Sequence, residues 1–302
     1  MTDLAAHATP IPGLMVFDLP VHGDARGWFK ENWQREKMMA LGLPDFSPVQ
    51  SNMSFNEAAG STRGLHAEPW DKLICLGAGR IMGAWVDLRE GPSFGTTFTL
   101  EMGLDKAVYV PRGVANGYQA LEDNTLYGYL VNEHWSPDAR SEYTYVNLAD
   151  EQASIPWPIP LNKATISDAD AAHPRLADVT PMGPRRTLIV GAKGQLGLAL
   201  QQAYPDADAV DVDELDLTDP DAVAAFSWRP YGTIINAAAY TAVNLAETPE
   251  GRTRAWAINV TAVGRLAAIA RQQRALLVHV SSDYVFDGTR TEHDEDEPFS
   301  PL

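Results

Sequence analysis

The chain has 302 residues, of which 45% are apolar and 21% are charged. This composition is ordinary for a folded protein, and at about 150 residues per domain the length predicts about two domains. The formal net charge is −17, divided into −10 up to Met182 and −7 after it. Neither half therefore has the basic excess that binding to nucleic acid or to an anionic membrane requires. The sequence also lacks a membrane-spanning apolar run and the pattern of a signal peptide, so we expect a cytoplasmic protein.

The first half of the chain predicts β-structure. Short apolar or alternating runs, separated by Gly, Pro, Asn and Asp, predict strands at residues 73–76, 81–87, 96–102, 107–110, 118–121 and 126–131. One helix is predicted at residues 34–41. Strands at this spacing, with few helical stretches between them, favour an antiparallel sandwich or barrel.

The second half has a different rhythm. Predicted strands at residues 187–191, 209–212, 233–236 and 275–280 alternate with predicted helices at 195–203, 220–226 and 253–272. Asp219 is expected to open the second of these helices. Alternation of this kind predicts βαβ units and a parallel sheet of Rossmann type. Between the two halves, residues 177–186 contain two Pro, a Gly and two Arg, which predicts a linker.

A glycine-rich loop, residues 191–197, directly follows the first strand of the second half and opens its first helix. Small residues there let the backbone approach a pyrophosphate, whose charge the helix N-terminus favours. Asp211 follows about 20 residues later, near the end of the next strand, where a carboxylate can hold a ribose diol. The glycine pattern alone is also compatible with a tight turn. The strand–turn–helix context favours a dinucleotide site.

Three further segments narrow this interpretation: residues 236–241, 244–247 and 281–288. Together with the glycine loop they resemble the extended short-chain dehydrogenases, most closely the dTDP-4-dehydrorhamnose reductases, from about residue 187 to the end. The resemblance implies NADPH or NADH as the cofactor and places Ser282 in a Ser/Thr-Tyr-Lys catalytic set. In that family the Tyr-x-x-x-Lys would follow a segment like residues 298–302, where this chain stops. We therefore expect cofactor binding without ketone reduction.

The cofactor-binding residues that this interpretation predicts lie in the glycine loop and after the following strands. They are Gly191, Gly194, Gln195, Leu196, Gly197, Asp211, Asp216, Leu217, Ala237, Ala238, Ala239 and Ser282.

Residues 111–118 in the first half resemble the second motif of cupin jelly rolls, with Asn116 where a His is customary. In the first motif, His66 and Glu68 are the candidate metal ligands. Since a metal cupin needs about three or four convergent ligands, we predict no catalytic metal. The segments 24–31, 50–52, 63–66, 86–89, 155–158 and 166–170 occur in the order found in dTDP-4-dehydrorhamnose 3,5-epimerases. That resemblance covers about residues 13–176.

The epimerase resemblance implies a dTDP-linked 4-keto-6-deoxy sugar as the substrate, epimerised at C3, C5 or both. His66 would be the base that removes a proton next to the ketone, with Asp170 orienting its ring. Tyr129 would be the acid on the opposite face, while Lys72 and Arg63 would stabilise the enolate charge.

Further substrate contacts follow from the same resemblance. Arg26, Glu31, Gln50 and Asn52 would line the nucleotide and diphosphate region, and Asn116 would lie close to the sugar. The epimerase family is usually dimeric, so the resemblance also implies a homodimer.

Each of these residues also has a structural interpretation. Histidines such as His66 often make structural hydrogen bonds. Tyr129 could pack in the core, and Asp170 could cap a helix. Lys72 and Arg63 could be surface charges. The alternative function is a non-catalytic sugar-nucleotide-binding module that lost its activity.

The two resemblances correspond to consecutive steps in making dTDP-L-rhamnose. The sequence thus predicts an isomerase joined to part of an oxidoreductase. Its predicted organisation is a cupin-type jelly roll at residues 1–176, a linker at 177–186 and an incomplete NAD(P)-binding Rossmann domain at 187–302.

Overall fold

The computed structural model describes residues 3–300, and the chain divides into two compact units, residues 1–183 and 184–302. The end of the predicted Rossmann domain, Pro301 and Leu302, lies outside the described residues, as do Met1 and Thr2 at the start of the jelly roll. Among the described residues, no helix is both long and apolar enough to cross a bilayer.

The first unit is built from antiparallel strands. Its strands are β1 (Ala5–Ala8), β2 (Met15–Asp18), β3 (His22–Asp24), β4 (Gly27–Phe29), β5 (Gln50–Asn56), β6 (Thr62–Ala67), β7 (Lys72–Ala78), β8 (Ile81–Asp87), β9 (Thr97–Met102), β10 (Lys106–Val110), β11 (Val114–Ala120), β12 (Thr125–Val131) and β13 (Thr144–Tyr145). Its helices are α1 (Arg35–Ala40) and α2 (Asp168–Ala171), with 3₁₀ turns at Asp138–Glu142, Leu161–Lys163 and Leu176–Asp178.

These strands form two sheets and a hairpin. The first sheet has the order β1-β2-β10-β7-β12-β5, the second has the order β13-β6-β11-β8-β9, and β3 pairs with β4. Apolar side chains from both sheets, including Ile74 and Val108 of the first and Trp85 of the second, pack together in one core. Helix α1 adds Met38 to a second cluster with Phe17 of the first sheet. The predicted antiparallel sandwich is confirmed.

The second unit is a parallel sheet with helices. Its strands are β14 (Arg186–Val190), β15 (Asp208–Val210), β16 (Tyr231–Asn236) and β17 (Leu276–His279), arranged in the order β15-β14-β16-β17. Its helices are α3 (Gln195–Ala203), α4 (Pro220–Ala225), α5 (Val243–Ala246), α6 (Pro249–Trp256) and α7 (Val263–Gln273), with a π-helical stretch at Ala257–Ala262 and a 3₁₀ turn at Asp283–Val285. The parallel pairing confirms the predicted Rossmann-type fold. Asp219 caps α4 as expected, since its side chain accepts from the N–H of Asp221.

Three of the predicted segments differ from their prediction in the structure. The predicted strand 118–121 is β11, which begins four residues earlier, because the Asn-Gly pair that resembles a turn pairs with β6 and β8 instead. The long helix starts at Pro249, where Thr248 caps it. Much of the segment predicted as a linker packs on the first unit: Met182 is buried, and its N–H donates to the carbonyl of Leu88 at 2.7 Å.

Candidate functional site

A cavity of about 190 Å³ lies between the two sheets of the first unit. Its lining residues are Ser54, Arg63, Gly64, His66, Glu68, Lys72, Asn116, Gly117, Tyr118, Tyr127 and Tyr129. His66 comes from β6 of the second sheet, whereas Tyr129 comes from β12 of the first sheet. The candidate base and the candidate acid therefore line one cavity from facing sheets. We call it the inter-sheet cavity.

Asp170 supports His66 from behind. Nε2 of His66 donates to Oδ1 of Asp170 at 2.8 Å, and the N–H of Gly64 donates to Oδ2 at 3.3 Å. Burial by itself would raise the pKa of Asp170, but the hydrogen bonds and the charges of His66 and His173 together lower it. The cap of α2 is Ser167, whose hydroxyl accepts from the N–H of Asp170 at 3.1 Å. The helix-cap interpretation of Asp170 is thus wrong, and its carboxylate faces His66.

Lys72 belongs to a buried polar network. Its Nζ lies 2.7 Å from Oε1 of Glu68 and donates to Oδ1 of Asn116 at 2.8 Å. The other carboxylate oxygen of Glu68 accepts from Nε1 of Trp70 at 2.6 Å. The side chains of Lys72 and Glu68 are only 7% and 10% exposed, so the surface-charge interpretation of Lys72 is wrong. Two acceptors hold Lys72 at the cavity wall, 5.3 Å from the centre of the Tyr129 ring.

Aromatic side chains from both sheets form another part of the lining: Tyr127 and Tyr129 come from β12, and Tyr118 comes from β11. Burial, followed by the nearby charge of Glu68, raises the pKa of Tyr129 to about 12. Tyr118 and Tyr127 stack at 4.1 Å, and the Tyr127 hydroxyl accepts from Nδ2 of Asn116 at 3.2 Å. Asn116 therefore links the ammonium of Lys72 to the hydroxyl of Tyr127 in one hydrogen-bonded network. A protonated His at position 116 could not accept from Lys72, because both groups would be donors.

A second cavity of about 360 Å³ adjoins the first and shares Glu68 and Tyr129 with it. Its lining residues are Gln50, Asn52, Glu68, Trp70, Tyr129, Val131, Trp135 and Tyr143. Nε2 of Gln50 donates to Oδ1 of Asn52 at 2.8 Å, so these two predicted residues lie together. We call this the aromatic cavity.

Two predicted substrate residues lie elsewhere. Arg26, in the turn between β3 and β4, pairs with Asp24 at the surface, and Glu31 pairs with Lys37. Neither is among the lining residues of the two cavities. Arg63 does line the inter-sheet cavity, where its Nε donates to Oδ1 of Asn56 at 3.2 Å.

Sequence reasoning missed several lining residues, chiefly Trp70, Trp135 and Tyr143. Trp70 and Trp135 lie outside the strands, and Tyr143 immediately precedes β13, so no periodic pattern marks any of them. The sequence indicates Glu68 only as a candidate metal ligand. Its spacing of four residues before Lys72 was an available signal for an ion pair, although these residues do not form a helix.

His66, Asp170 and His173 have donor atoms within 4.8 Å of one another, as a metal site requires. We interpret the cluster as a proton-handling group. Nε2 of His66 and Oδ1 of Asp170 are 2.8 Å apart and share a proton. Two ligands of one tetrahedral zinc ion would be about 3.3 Å apart, a distance that His173 and Asp170 have but His66 and Asp170 do not.

The second unit has a cavity of about 460 Å³ at the carboxyl ends of β14, β15 and β16. It is lined by Gly191, Gly194, Asp211, Asp216, Leu217, Ala237, Ala238 and Ala239, among other residues. Gln195, Leu196, Gly197 and Ser282 of the predicted set are not among its lining residues. In open parallel sheets, ligands bind at this edge.

The glycine loop fits a close-approaching ligand. Gly191 has φ +87°, and a Cβ there would lie 2.5 Å from the backbone nitrogen of Ala238. A Cβ on Gly197 would lie 2.1 Å from the carbonyl oxygen of Gly191, so this glycine brings α3 close to the loop. At the glycine loop the lining therefore consists of backbone and small side chains, as a pyrophosphate cradle requires.

Asp211 is held in place by the same loop. One carboxylate oxygen accepts from the N–H of Lys193 at 2.7 Å and the other from the N–H of Val212 at 2.9 Å. The hydrogen bond from Lys193 is the main reason that the pKa of Asp211 is lowered, so it is a carboxylate at neutral pH. The ammonium of Lys193 pairs with Asp213.

Comparison with known proteins assigns a family model to each unit. The model of dTDP-4-dehydrorhamnose 3,5-epimerase matches residues 8–178, and the model of the RmlD substrate binding domain matches residues 185–302.

Individual relatives divide in the same way. The RmlC homolog protein of Streptococcus pyogenes is 48% identical over 180 residues, which are 58% of this chain and 90% of that protein. A dTDP-4-dehydrorhamnose reductase of Aggregatibacter actinomycetemcomitans is 42% identical over 113 residues, which are 35% of this chain and 37% of the reductase. RmlC from Streptococcus suis, solved in complex with dTDP-D-xylose, is 48% identical, with a TM-score of 0.58, and covers 60% of this chain and 96% of its own.

Proposed function

This chain belongs to the dTDP-4-dehydrorhamnose 3,5-epimerase family, and from that premise we propose that the inter-sheet cavity epimerises a dTDP-linked 4-keto-6-deoxy sugar at C3, C5 or both. The observation that carries the proposal is the placement of His66 and Tyr129 on facing sheets around one cavity. Inversion of a carbon next to a ketone needs a base on one face and an acid on the other.

His66 is the proposed base. Because its Nε2 donates to Asp170, the neutral ring has its lone pair on Nδ1. Nδ1 takes the proton from the carbon next to the ketone, and the electrons of the C–H bond form the enolate. The resulting imidazolium is stabilised by the carboxylate of Asp170, which remains ionised.

Tyr129 is the proposed acid. Its pKa of about 12 keeps the phenol protonated at neutral pH, so the hydroxyl has a proton to donate. Lys72, held by Glu68 and Asn116, supports the negative enolate oxygen together with Arg63. Such fixed donors in a buried site are a large contribution to catalysis.

The aromatic cavity is proposed to hold the nucleotide. Trp135 and Tyr143 offer faces for stacking a pyrimidine base, and the amides of Gln50 and Asn52 offer hydrogen bonds. Because this cavity shares Tyr129 and Glu68 with the inter-sheet cavity, the sugar and nucleotide ends of one ligand can occupy both.

We infer a homodimer from the hairpin of β3 and β4. Arg26, Trp28 and Phe29 are exposed on it, and the two aromatic side chains are 47% and 65% exposed. Aromatic and Arg side chains are enriched at protein interfaces. The hairpin is proposed to place Arg26 beside the diphosphate bound by a second copy, which explains why Arg26 is outside the cavities of its own chain.

The second unit is proposed to bind NADH or NADPH. Gly191 and Gly194 would face the pyrophosphate, Ala237 to Ala239 would leave room for the cofactor, and Asp211 would hold the ribose hydroxyls. The cofactor, when bound, supplies a hydride. Lys193 is the single lysine after residue 182, and the sequence contains no Tyr-x-x-x-Lys.

The deciding experiment incubates the whole chain with dTDP-4-keto-6-deoxyglucose in D2O and follows deuterium entry at C3 and C5 by NMR. We expect entry at one or both carbons and its loss in His66→Ala. Absence of exchange in the unmutated chain, with the nucleotide sugar still bound, would instead support the non-catalytic binding module.

A further inference from the structure

A second histidine lies against the carboxylate of Asp170. Nε2 of His173 is 3.3 Å from Oδ1 of Asp170, the same oxygen that accepts from His66 at 2.8 Å. The two imidazole rings are edge to face, with centres 5.2 Å apart and an angle of 83° between their planes. One carboxylate oxygen thus faces two histidines.

The position of His173 is set by β13 and the loop that follows α2. Its ring stacks on Tyr145 of β13 at 4.5 Å, and His66 meets the same Tyr145 edge-on at 5.5 Å. Nδ2 of Asn147 donates to the carbonyl of His173 at 2.9 Å, which ties the loop to the residues after β13. His66 is therefore enclosed by His173, Tyr145 and Asp170 on the side that supports it.

The side chain of His173 is 12% exposed, and its Nε2 is buried without a well-formed hydrogen bond in the described part of the chain. Buried polar atoms of this kind nearly always find a partner, and Oδ1 of Asp170 is an acceptor 3.3 Å away. Burial, followed by the charge of His66, lowers the pKa of His173. A neutral His173 has one ring proton, which on Nε2 lies beside Asp170 without forming a well-aligned hydrogen bond.

We propose that His173 is a positioning residue that packs against Asp170 and so limits how strongly this carboxylate holds a proton on His66. The inference rests on the proposed role of His66. A carboxylate paired with His66 alone would hold a proton on that ring more tightly. A ring that is already protonated cannot accept the sugar proton, so a weaker hold favours proton removal.

Other charges face His66 from the cavity side. The titratable and charged groups around the two histidines are Asp170 on α2, Tyr145 on β13, Arg63 on β6, Lys72 on β7, Tyr129 on β12 and Glu68 between β6 and β7. Glu68 is neutralised by Lys72 at 2.7 Å. Asp170 is thus the carboxylate that contacts His66 directly, and His173 is the group placed to modulate it.

The test compares His173→Phe with His173→Gln in the full chain. Phe keeps a ring to stack on Tyr145 but has no donor for Asp170, whereas the Gln amide has a donor but no ring. The readouts are the pH profile of deuterium exchange and the ionisation of His66, followed by NMR of ¹⁵N-labelled histidine without substrate. His7→Gln is the matched control, because it removes a His that pairs with Asp18 at 2.9 Å on the surface.

For His173→Phe we expect the acid limb of the exchange profile to move to higher pH by about half a unit, with a roughly three- to tenfold lower rate at pH 7. The NMR midpoint of His66 should rise by the same amount. His173→Gln and His7→Gln should each stay within about twofold of the unmutated chain.

A wild-type profile in His173→Phe would overturn the proposal, and so would a Gln variant shifted as far as the Phe variant, since packing alone would then account for His173. If the Phe variant does not fold, NMR of the unmutated chain decides: protonation of His173 before His66 as the pH falls would overturn the proposal. If the epimerase assignment is wrong, deuterium exchange will be absent, while the effect of His173→Phe on the NMR titration of His66 can still be measured.

Discussion

The inter-sheet cavity and the cavity of the second unit differ in how their lining residues are held. In the inter-sheet cavity, ionisable side chains have buried partners, as Lys72 has Glu68 and His66 has Asp170. The cavity of the second unit combines glycine and alanine residues, such as Gly191 and Ala238, with the carboxylates of Asp211 and Asp216. Moving a proton requires groups with defined ionisation, whereas holding a dinucleotide requires mainly space and N–H groups.

The two sites also differ in how far the surrounding strands enclose them. Two antiparallel sheets enclose the first site and bury its polar groups. In the second unit, strand β17 lies at one edge of the sheet, and Leu276 is 62% exposed. Burial raises the pKa of Tyr129 in the first site, whereas the hydrogen bond from Lys193 is the main cause of the lowered pKa of Asp211 in the second.

The largest expected effects separate the two sites completely. Gly191→Ala should raise the dissociation constant for NADH at least about 100-fold, because a Cβ would lie 2.5 Å from the backbone of Ala238. Deuterium exchange should remain at the wild-type rate.

His66→Ala should do the reverse and lower exchange about 1,000-fold without affecting NADH binding. Calorimetry with NADH and NMR of the sugar measure the two; loss of both functions in either variant would contradict their independence.

Tyr129→Phe should separate proton removal from inversion. The base remains, so deuterium still enters from the His66 face, but formation of the inverted sugar should fall about 100-fold because the acid is missing. The control is Tyr127→Phe, which removes a buried hydroxyl bonded to Asn116 and should cost about tenfold or less. Equal losses in the two variants would show that Tyr129 is not the acid.

Glu68→Gln should lower kcat about tenfold, with a smaller effect on KM. The amide keeps the shape and still meets Trp70, but Lys72 loses the carboxylate that holds it at 2.7 Å. Steady-state epimerisation measures the change. The exposed ion pair of Glu101 with Arg80 provides the control, as Glu101→Gln assayed on the same substrate. An unchanged kcat in Glu68→Gln would remove Glu68 from the mechanism.

The smallest expected effect is a pH dependence. The pKa of Tyr129 is about 12, above its ordinary value of 10, so the folded state retains this proton where the unfolded chain has lost it. The resulting stability is complete below pH 10 and is lost as the pH rises toward 12. NMR of ¹³C-labelled tyrosine should show the Tyr129 signal unchanged up to about pH 10.5. Glu68→Gln should lower the midpoint, since the charge of Glu68 raises this pKa; a midpoint at or below 10 in the unmutated chain would contradict the assignment.

Local patterns in the sequence were sufficient for much of the fold. Alternating runs identified strands such as β8 and β12, and the glycine loop with its flanking strand and helix identified α3 to the residue. Strands β5 and β6 escaped prediction because polar residues and glycine interrupt them. Resemblance to a family was needed to single out His66 and Tyr129, since their own segments do not distinguish a catalytic residue from a packed one.

The order of residues along the chain thus dictates which segments become strands and helices, because periodicity and turn chemistry act over a few neighbours. It does not dictate the partners of Asp170, which lies 104 residues from His66 and is brought to it only by the packing of α2 beside β6. The same holds for Asn116, which lies 44 residues from Lys72. Ionisation depends on burial and on charges a few ångströms away, and those distances exist only once the sheets have packed.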